Sequence, residues 1–307
     1  MLSLATSSVF KHLESSTGYE LSPRELAGLQ TILMMVLRDI DCICKKYGID
    51  YMLVFGSCLG AVRHGGFIPW DEDLDIAMFR GDFERFTEVF ESELGSKYDL
   101  QVPGKTHGYD LAFPRIRLKG TVLRNRDDFL SDGECGIWVD LFVWEAVPDN
   151  LIVRMGHGFI STALGFLYSC RRFSKYEKYY LDLAGNDDRV RKVFRTKALI
   201  GKTLSFASPE QFAFGWYAWN SLLGRKTTRT VCIPVAYAHY FHGLRSRAIL
   251  IPTALVSFGG ILVPVPKESE VYLKEVYGEG WNVIPPENER ERHFVLELDF
   301  GEYGEKH

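Results

Sequence analysis

An acidic alternation in residues 71–75 places the tightest constraint on how this chain can fold. Asp71, Asp73 and Asp75 alternate with other residues, and apolar side chains follow at the opposite parity. Because successive side chains of a β-strand point to opposite faces, the pattern predicts an acidic strand over 73–78 with one buried face. Three carboxylates on one face repel each other, and a divalent cation is the usual compensation.

A glycine-serine turn precedes this strand. The apolar run over 50–55 predicts a strand, after which Gly56 and Ser57 open a short helix that continues to about Arg63. Helix N-termini expose unpaired N–H groups and bind phosphate. Glycine lets the backbone approach a ligand, and the Ser57 hydroxyl adds a donor. We therefore expect Gly56 and Ser57 to bind a phosphate group.

Asp140 is a third acidic candidate, flanked by Val139 and Leu141 on a strand predicted over 137–144. The order of a Gly-Ser turn, an Asp-x-Asp strand and a later apolar-Asp-apolar strand resembles the polymerase-β-type nucleotidyltransferase fold. That resemblance implies an α/β (α+β) chain with a mixed sheet and a helical insertion. It also implies that Asp73, Asp75 and Asp140 are catalytic and hold two Mg²⁺ or Mn²⁺ ions. One ion lowers the pKa of the attacking hydroxyl, and the other neutralises the leaving phosphate.

A longer motif gives a narrower resemblance. Residues 56–75 read GSCLGAVRHGGFIPWDEDLD, which resembles the LicD-family signature G-T-L-L-G-A-x-R-H-x-G-F-I-P-W-D-D-D-x-D. That family includes bacterial phosphocholine transferases and, more remotely, fukutin and fukutin-related protein. The chain departs from the signature at Ser57, Cys58 and Glu72. Weaker matches lie at 113–117 and 136–142 and at Tyr277-Gly278 and Trp281. Tyr277 and Trp281 could line the site, but we expect them to pack in the core.

The resemblance implies transfer of a phospho-alcohol. A CDP-activated donor, with CDP-choline favoured, would pass its phospho-alcohol to a hydroxyl of a cell-surface glycan precursor and release CMP. The acceptor would be a glycan or a lipid-linked glycan. Two alternatives stay open: a true nucleotidyltransferase that releases pyrophosphate, and an inactive binding module on the same fold.

Five further residues are candidates for substrate binding. Arg63, Arg115 and, more weakly, Arg117 could clamp phosphate oxygens, because guanidinium binds them bidentately. The alternative is that these arginines pair with the acidic cluster itself. His64 is either a donor to the acceptor or leaving group, or a structural hydrogen-bonding group at a helix end. Trp70 either stacks on cytosine or a choline-like cation, or anchors its loop in the core.

The rest of the chain divides into three predicted parts. We expect a catalytic core over 1–148, a basic and mainly helical region over 149–230, and a C-terminal segment over 231–307 that folds back on the core. The remaining predicted elements are helices 22–48, 82–94 and 267–277, strands 109–118, 121–125 and 260–266, a loop over 125–136, and a mostly helical stretch over 151–223. Glu145, where the family often has an acid, is a doubtful functional residue.

Charge separates the middle region from the rest. The net charge of −4 gives no global case for nucleic acid, but residues 151–230 hold fourteen Lys/Arg and five Asp/Glu, a net charge of +9. The segment 151–180 could lie on an anionic membrane surface, and an ordinary solvated helical face is the alternative. Its apolar stretch 151–170, interrupted by Arg154 and His157, is expected to fall short of a spanning helix.

The cysteines and the first residues of the chain indicate in which cellular compartment the protein is expected. The six cysteines form no C-x-x-C pair and no zinc spacing, which favours reduced thiols. The first residues are too polar for a signal peptide. We expect a cytoplasmic protein, either free or associated with the cytoplasmic face of a membrane.

Overall fold

The structure is a computed structural model that describes residues 18–125, 135–185, 187–236, 239–290 and 295–304. Helix α1, Pro23–Tyr47, begins with a capping box in which Ser22 and Glu25 bond each other's backbone N–H groups. It ends at Gly48, whose φ of 60° is the left-handed conformation that glycine adopts readily. The prediction of a helix over 22–48 is confirmed. Its apolar stripe is buried against the sheet.

Strand β1 (Met52–Leu53), helix α2 (Phe55–His64), strand β2 (Asp75–Phe79) and helix α3 (Arg80–Leu94) follow. The strand predicted over 50–55 is shorter because the chain turns into α2 already at Phe55, whose φ is +47°. The predicted acidic strand also starts late. Asp71 and Asp73 lie in an irregular segment, and only Asp75 belongs to β2.

Strands β3 (Tyr98–Gln101), β4 (Arg115–Leu118) and β6 (Trp138–Ala146) join β1 and β2 in a sheet that two later strands extend, while β5 (Val122–Arg124) lies outside it. The strand predicted over 109–118 covers only β4, because residues 106–114 form turns that end at a proline. Strand β3 was not predicted, and most of the predicted loop over 125–136 lies outside the described residues.

The strand order is β1-β2-β6-β4-β3, in which β2 and β6 are parallel and the other pairs are antiparallel. The predicted mixed sheet and α+β class are confirmed; the polymerase-β-type fold stays a prediction. Strand β6 is buried along its whole length and lies between β2 and β4. Its position places Asp140 in the middle of the sheet.

The middle of the chain is helical: α4 (Leu151–Lys175), α5 (Glu177–Leu183), α6 (Asp188–Thr203) and α7 (Pro209–Asn220). Helices α6 and α7 pack against α4. By length and composition, α4 is long and apolar enough to cross a membrane, with a mean hydropathy of 1.2 over its most apolar window. The expectation that 151–170 falls short of such a helix is therefore not supported.

The last part of the chain consists of short elements. They are β7 (Thr230–Cys232), α8 (His239–His242), β8 (Arg245–Ser246), α9 (Arg247–Leu250), β9 (Ala254–Phe258), β10 (Ile261–Val265), α10 (Ser269–Tyr277) and β11 (Glu297–Asp299). Strand β7 pairs with the end of β6, and β11 pairs with β5. The division at 148 and 230 stays a prediction.

Candidate functional site

Two of the predicted acidic residues meet across the sheet. Asp75 and Asp140 are register partners on the parallel strands β2 and β6, so their side chains lie on the same face. The backbone N–H of Asp75 donates a hydrogen bond to Ser57 Oγ at 2.8 Å. Ser57 is buried, so in this structure its hydroxyl positions Asp75. Its predicted contact with a donor phosphate stays a prediction.

Asp71 lies against the first turn of α2. A methyl group added at Gly56 would lie 2.9 Å from Asp71 Oδ2, so the glycine leaves room for this carboxylate. The Asp71 backbone is fixed by its N–H bond to the Ile68 carbonyl, and its own carbonyl accepts from Gln30 Nε2 at 2.8 Å. The Gly-Ser turn and the acidic segment therefore pack against each other.

Asp140 carries its own counter-ion. Arg115 Nε donates to Asp140 Oδ1 at 2.6 Å and Arg115 Nη2 donates to Oδ2 at 3.3 Å, with both residues buried. Arg115 also stacks over the Trp138 ring at 4.4 Å. Burial raises the pKa of Asp140; Arg115 opposes that shift, and the charge of Asp73 adds to it. For Arg115, pairing with the acidic cluster is the alternative that the structure shows.

The three carboxylates are suitable ligands for Mg²⁺ or Mn²⁺, which prefer hard oxygen donors. Asp75 and Asp140 share a face, and Asp73 is close enough to act on the pKa of Asp140. Across the described ranges, however, no three His, Cys, Asp or Glu side chains are assembled as a metal site. The chemistry of the donor set fits a divalent ion, and its binding by these residues stays a prediction.

The other predicted arginines contact the protein. Arg117 Nε donates to Gln101 Oε1 at 2.8 Å, and Arg117 Nη1 donates to the Gly136 carbonyl at 3.0 Å. Arg63 Nη1 donates to the carbonyls of Trp281 and Val283 at 3.1 and 3.3 Å. Both side chains hold separate segments together in this structure, and their roles as phosphate clamps stay predictions.

His64 and Trp70 lie side by side at the C-terminal end of α2. Arg63 Nε donates to His64 Nε2 at 3.0 Å, so the imidazole accepts there and is neutral. The pKa of His64 is lowered, first by burial and then by Arg63. The Arg290 guanidinium lies 4.1 Å from the centre of the Trp70 ring. In this structure Arg290 thus occupies the kind of cation contact predicted for a choline group at Trp70.

Two tyrosines of α10 lie near the acidic residues: Tyr272, which the sequence did not point to, and Tyr277, for which lining the site was the alternative to core packing. The Tyr272 hydroxyl accepts a hydrogen bond from the Phe55 backbone N–H at 3.2 Å, at the left-handed residue where α2 begins. The Tyr277 side chain is 45% exposed, so its expected packing in the core is wrong. The surrounding protein desolvates the Tyr277 hydroxyl and so raises its pKa, although part of the side chain is exposed. The nearby Tyr272 and the acids of residues 71–75 raise the pKa further. The late Y-G-x-W match was the available signal.

Glu145 has no place at this site. It lies on the opposite face of β6 from Asp140 and forms a buried ion pair with Arg80. Arg80 Nη1 also donates to the Tyr217 hydroxyl at 2.6 Å. Burial raises the pKa of Glu145, and Arg80 opposes the shift. Glu145 therefore serves the contact between the sheet and α7.

Comparison with known proteins confirms the resemblance. Residues 48–125 match the family model described as LicD/FKTN/FKRP, nucleotidyltransferase domain. The lipopolysaccharide cholinephosphotransferase LicD of Haemophilus influenzae is 38% identical over 125 residues, which cover 39% of this chain and 44% of that protein. The human ribitol 5-phosphate transferase FKRP is 42% identical over 62 residues, which cover 20% of this chain and 12% of that protein.

The matched segment is the part of the chain that contains the Gly-Ser turn and the acidic residues 71–75. The chain thus spans less than half the length of the relatives it matches. Both of these relatives are named as transferases, and this supports an enzyme.

Proposed function

We propose that this protein transfers a phospho-alcohol, with phosphocholine as the favoured group, from a CDP-activated donor to a hydroxyl of a cell-surface glycan precursor. The acceptor oxygen forms a bond to the phosphorus of the phospho-alcohol, and the bond from that phosphorus to the CMP oxygen breaks. The cholinephosphotransferase among the relatives supports the choline donor. The ribitol 5-phosphate transferase supports the wider class of phospho-alcohols.

One observation carries the proposal. Two distant parts of the sequence, the motif around Asp75 and the strand around Asp140, place their carboxylates opposite each other on adjacent strands. Ser57 from the same motif holds the Asp75 backbone at this point. The segment that matches the transferases therefore supplies Asp75 and Ser57 to this acidic face, and β6 supplies Asp140.

The protein groups would act by positioning and by electrostatics, since phosphoryl transfer needs little covalent help. Asp73, Asp75 and Asp140 would hold Mg²⁺ or Mn²⁺, which would neutralise phosphate charge and lower the pKa of the acceptor hydroxyl. Asp140 would orient that hydroxyl or accept its proton. Arg115 would keep Asp140 in place, and the first turn of α2 at Gly56 would face the donor phosphates.

We also propose that the acceptor is a glycan or a lipid-linked glycan and that the reaction takes place in the cytoplasm. Buried thiols such as Cys58 and Cys232 fit a reducing compartment. The polymerase-β-type nucleotidyltransferase fold is part of the same proposal.

A donor screen tests the proposal. Purified protein would be incubated with CDP-choline, CDP-ribitol, CDP-glycerol or CTP in the presence of Mg²⁺ or Mn²⁺, with released CMP and pyrophosphate both quantified. Release of CMP from one CDP-alcohol, and no pyrophosphate from CTP, is the expected result. Pyrophosphate from CTP would instead establish a nucleotidyltransferase, and binding of nucleotide without either product would establish a binding module.

A further inference from the structure

Helix α4 presents an apolar face to the outside of the molecule. Ile152, Met155, Phe159 and Phe166 follow one another at helical spacing, and Ile152 and Phe159 are 82% and 62% exposed. These four residues are named the α4 face below. Contiguous exposed apolar side chains of this size mark an interaction surface on a protein.

The same side of the helix is covered further along. Because an α-helix has about 3.6 residues per turn, Cys170 and Phe173 fall on the side that carries Ile152 and Met155. Helix α6 packs there, with the Phe194 ring centre 4.9 Å from that of Phe173. Helix α6 therefore covers the last turns of this side, and the α4 face is the earlier part that stays outside.

The opposite side of α4 is tied to the protein by polar contacts. His157 hydrogen-bonds the Tyr240 hydroxyl at 3.0 Å, and Ser161 Oγ donates to Asn220 Oδ1 at 2.7 Å. These contacts join α4 to α7 and α8, so the helix lies along the protein with its apolar face outward. A helix held in this way is suited to lie in a membrane interface; crossing the bilayer would break these contacts.

Charge indicates which surface the face would meet. Helix α4 contains no acidic residue, and its four cations, Arg154, Arg171, Arg172 and Lys175, lie away from the α4 face, where Arg172 and Lys175 pair with Asp110 and Glu210. The outer side of α6 exposes Lys192 and Arg195, while Lys202 further along pairs with Glu177 at 2.7 Å. Lys192 and Arg195 line a groove of about 350 Å³ together with Arg191 and Asp188. This is the charge pattern that binds anionic lipid headgroups.

We propose that the α4 face inserts into the interface of an anionic lipid bilayer while Lys192 and Arg195 of α6 contact the headgroups. Helix α6 packs on the side of α4 that continues the α4 face, so its outer cations are directed the same way. This arrangement goes beyond the transfer reaction. It is measured without donor or acceptor, so its failure is separable from failure of the proposed function.

Vesicle co-sedimentation of the full chain tests the apolar part. The wild type should bind vesicles of phosphatidylcholine with phosphatidylglycerol, less at high salt, and should bind pure phosphatidylcholine weakly. The double variant Ile152→Ser/Phe159→Ser should bind anionic vesicles roughly tenfold more weakly or worse. The matched control is Leu255→Ser/Leu262→Ser, which removes two similarly exposed residues, 61% and 58%, from β9 and β10. It should bind like the wild type.

Charge reversal tests the electrostatic part. Lys192→Glu/Arg195→Glu should weaken binding to anionic vesicles by roughly tenfold or more and leave binding to neutral vesicles unchanged. Equal binding of the wild type to both kinds of vesicle, or equal losses in the α4 and control variants, would overturn the proposal. So would a wild-type dimer in solution that the α4 variant separates, because a second copy would then cover this face. If the double variant loses its circular dichroism signal, vesicle binding by the single variant Phe159→Ser is compared with that of the wild type and the control instead.

Discussion

Replacement of Arg115 by methionine separates the two roles that the sequence left open for this residue. In the structure Arg115 neutralises Asp140 through two hydrogen bonds and stacks on Trp138. Removing one partner of a buried ion pair leaves the other charge uncompensated, which costs about 3–5 kcal/mol. Methionine keeps much of the side-chain volume, so we expect the free energy of unfolding to fall by about 4 kcal/mol at neutral pH.

The measurement is urea unfolding, followed by circular dichroism, of a double-mutant cycle. Asp140→Asn added to Arg115→Met removes the buried charge and should restore at least about 2 kcal/mol. Arg117→Met is the matched control, because Arg117 donates two hydrogen bonds to neutral oxygens of Gln101 and Gly136, and its charge affects Asp140 less than that of Arg115 does. Adding Asp140→Asn to Arg117→Met should restore less than about 1 kcal/mol of unfolding free energy.

The pH dependence of the same variant follows from the raised pKa of Asp140. Loss of Arg115 raises that pKa further, because the opposing charge is gone. An acid whose pKa is raised by folding is destabilising when ionised, so the difference in unfolding free energy should shrink as the pH falls and Asp140 becomes protonated. If Arg115→Met cost less than about 1 kcal/mol but weakened donor binding, the residue would be a phosphate clamp and this reasoning would be refuted.

Two further predictions concern a glycine of the site and a buried lysine. In Gly56→Val the added side chain should collide with the Asp71 carboxylate and weaken donor binding by roughly tenfold in a titration. Gly215→Val is the control, because an added methyl group there meets nothing within 4 Å, and its donor binding should be unchanged. Equal donor binding by both variants would refute the close approach of the donor to the backbone at Gly56. Lys197→Met should raise the free energy of unfolding by about 2 kcal/mol at pH 7. Burial lowers the pKa of Lys197 from 10.5 to about 8, so the charged side chain destabilises the folded protein, and its removal is stabilising. Loss of the hydrogen bond from Lys197 to Ser169 offsets part of this gain. Wild-type stability in urea should rise as the pH increases from about 8 towards 10.5, and that rise should be absent in the variant; a parallel rise in both would contradict the assignment.

Local sequence pattern was sufficient for part of the site. The motif indicated that the Gly-Ser turn and the acidic segment serve one site, and the structure shows Asp71 beside Gly56 and Asp75 bonded to Ser57. Alternation alone could not place the start of β2, because an extended irregular segment has the same parity as a strand. Asp73 therefore precedes the strand that was predicted to carry it.

Contacts between distant parts of the chain were beyond the pattern. The bond from the Phe55 N–H to the Tyr272 hydroxyl joins residues far apart in sequence, and nothing local to either residue signals it. The pairing of Arg115 with Asp140 depends on the register of β4 with β6, which alternation does not fix. The exposure of α4 could not be predicted either, because the sequence pattern of an apolar helical stripe is the same whether or not a neighbouring helix covers it.

Metal-dependent release of CMP from CDP-choline tests the central claim most directly. The wild type and Asp73→Asn would be assayed with Mg²⁺ or Mn²⁺ and again after chelation. The amide introduced by Asp73→Asn is uncharged and a poor metal ligand, so turnover should be lost. Replacing the Asp73 carboxylate also removes its repulsion of the neighbouring acids, so the urea midpoint should hold or rise.

The account predicts CMP release by the wild type that stops on chelation, returns when the ion is restored, and is absent in Asp73→Asn. CMP release that persists without a divalent ion, or that is undiminished in Asp73→Asn, would contradict it.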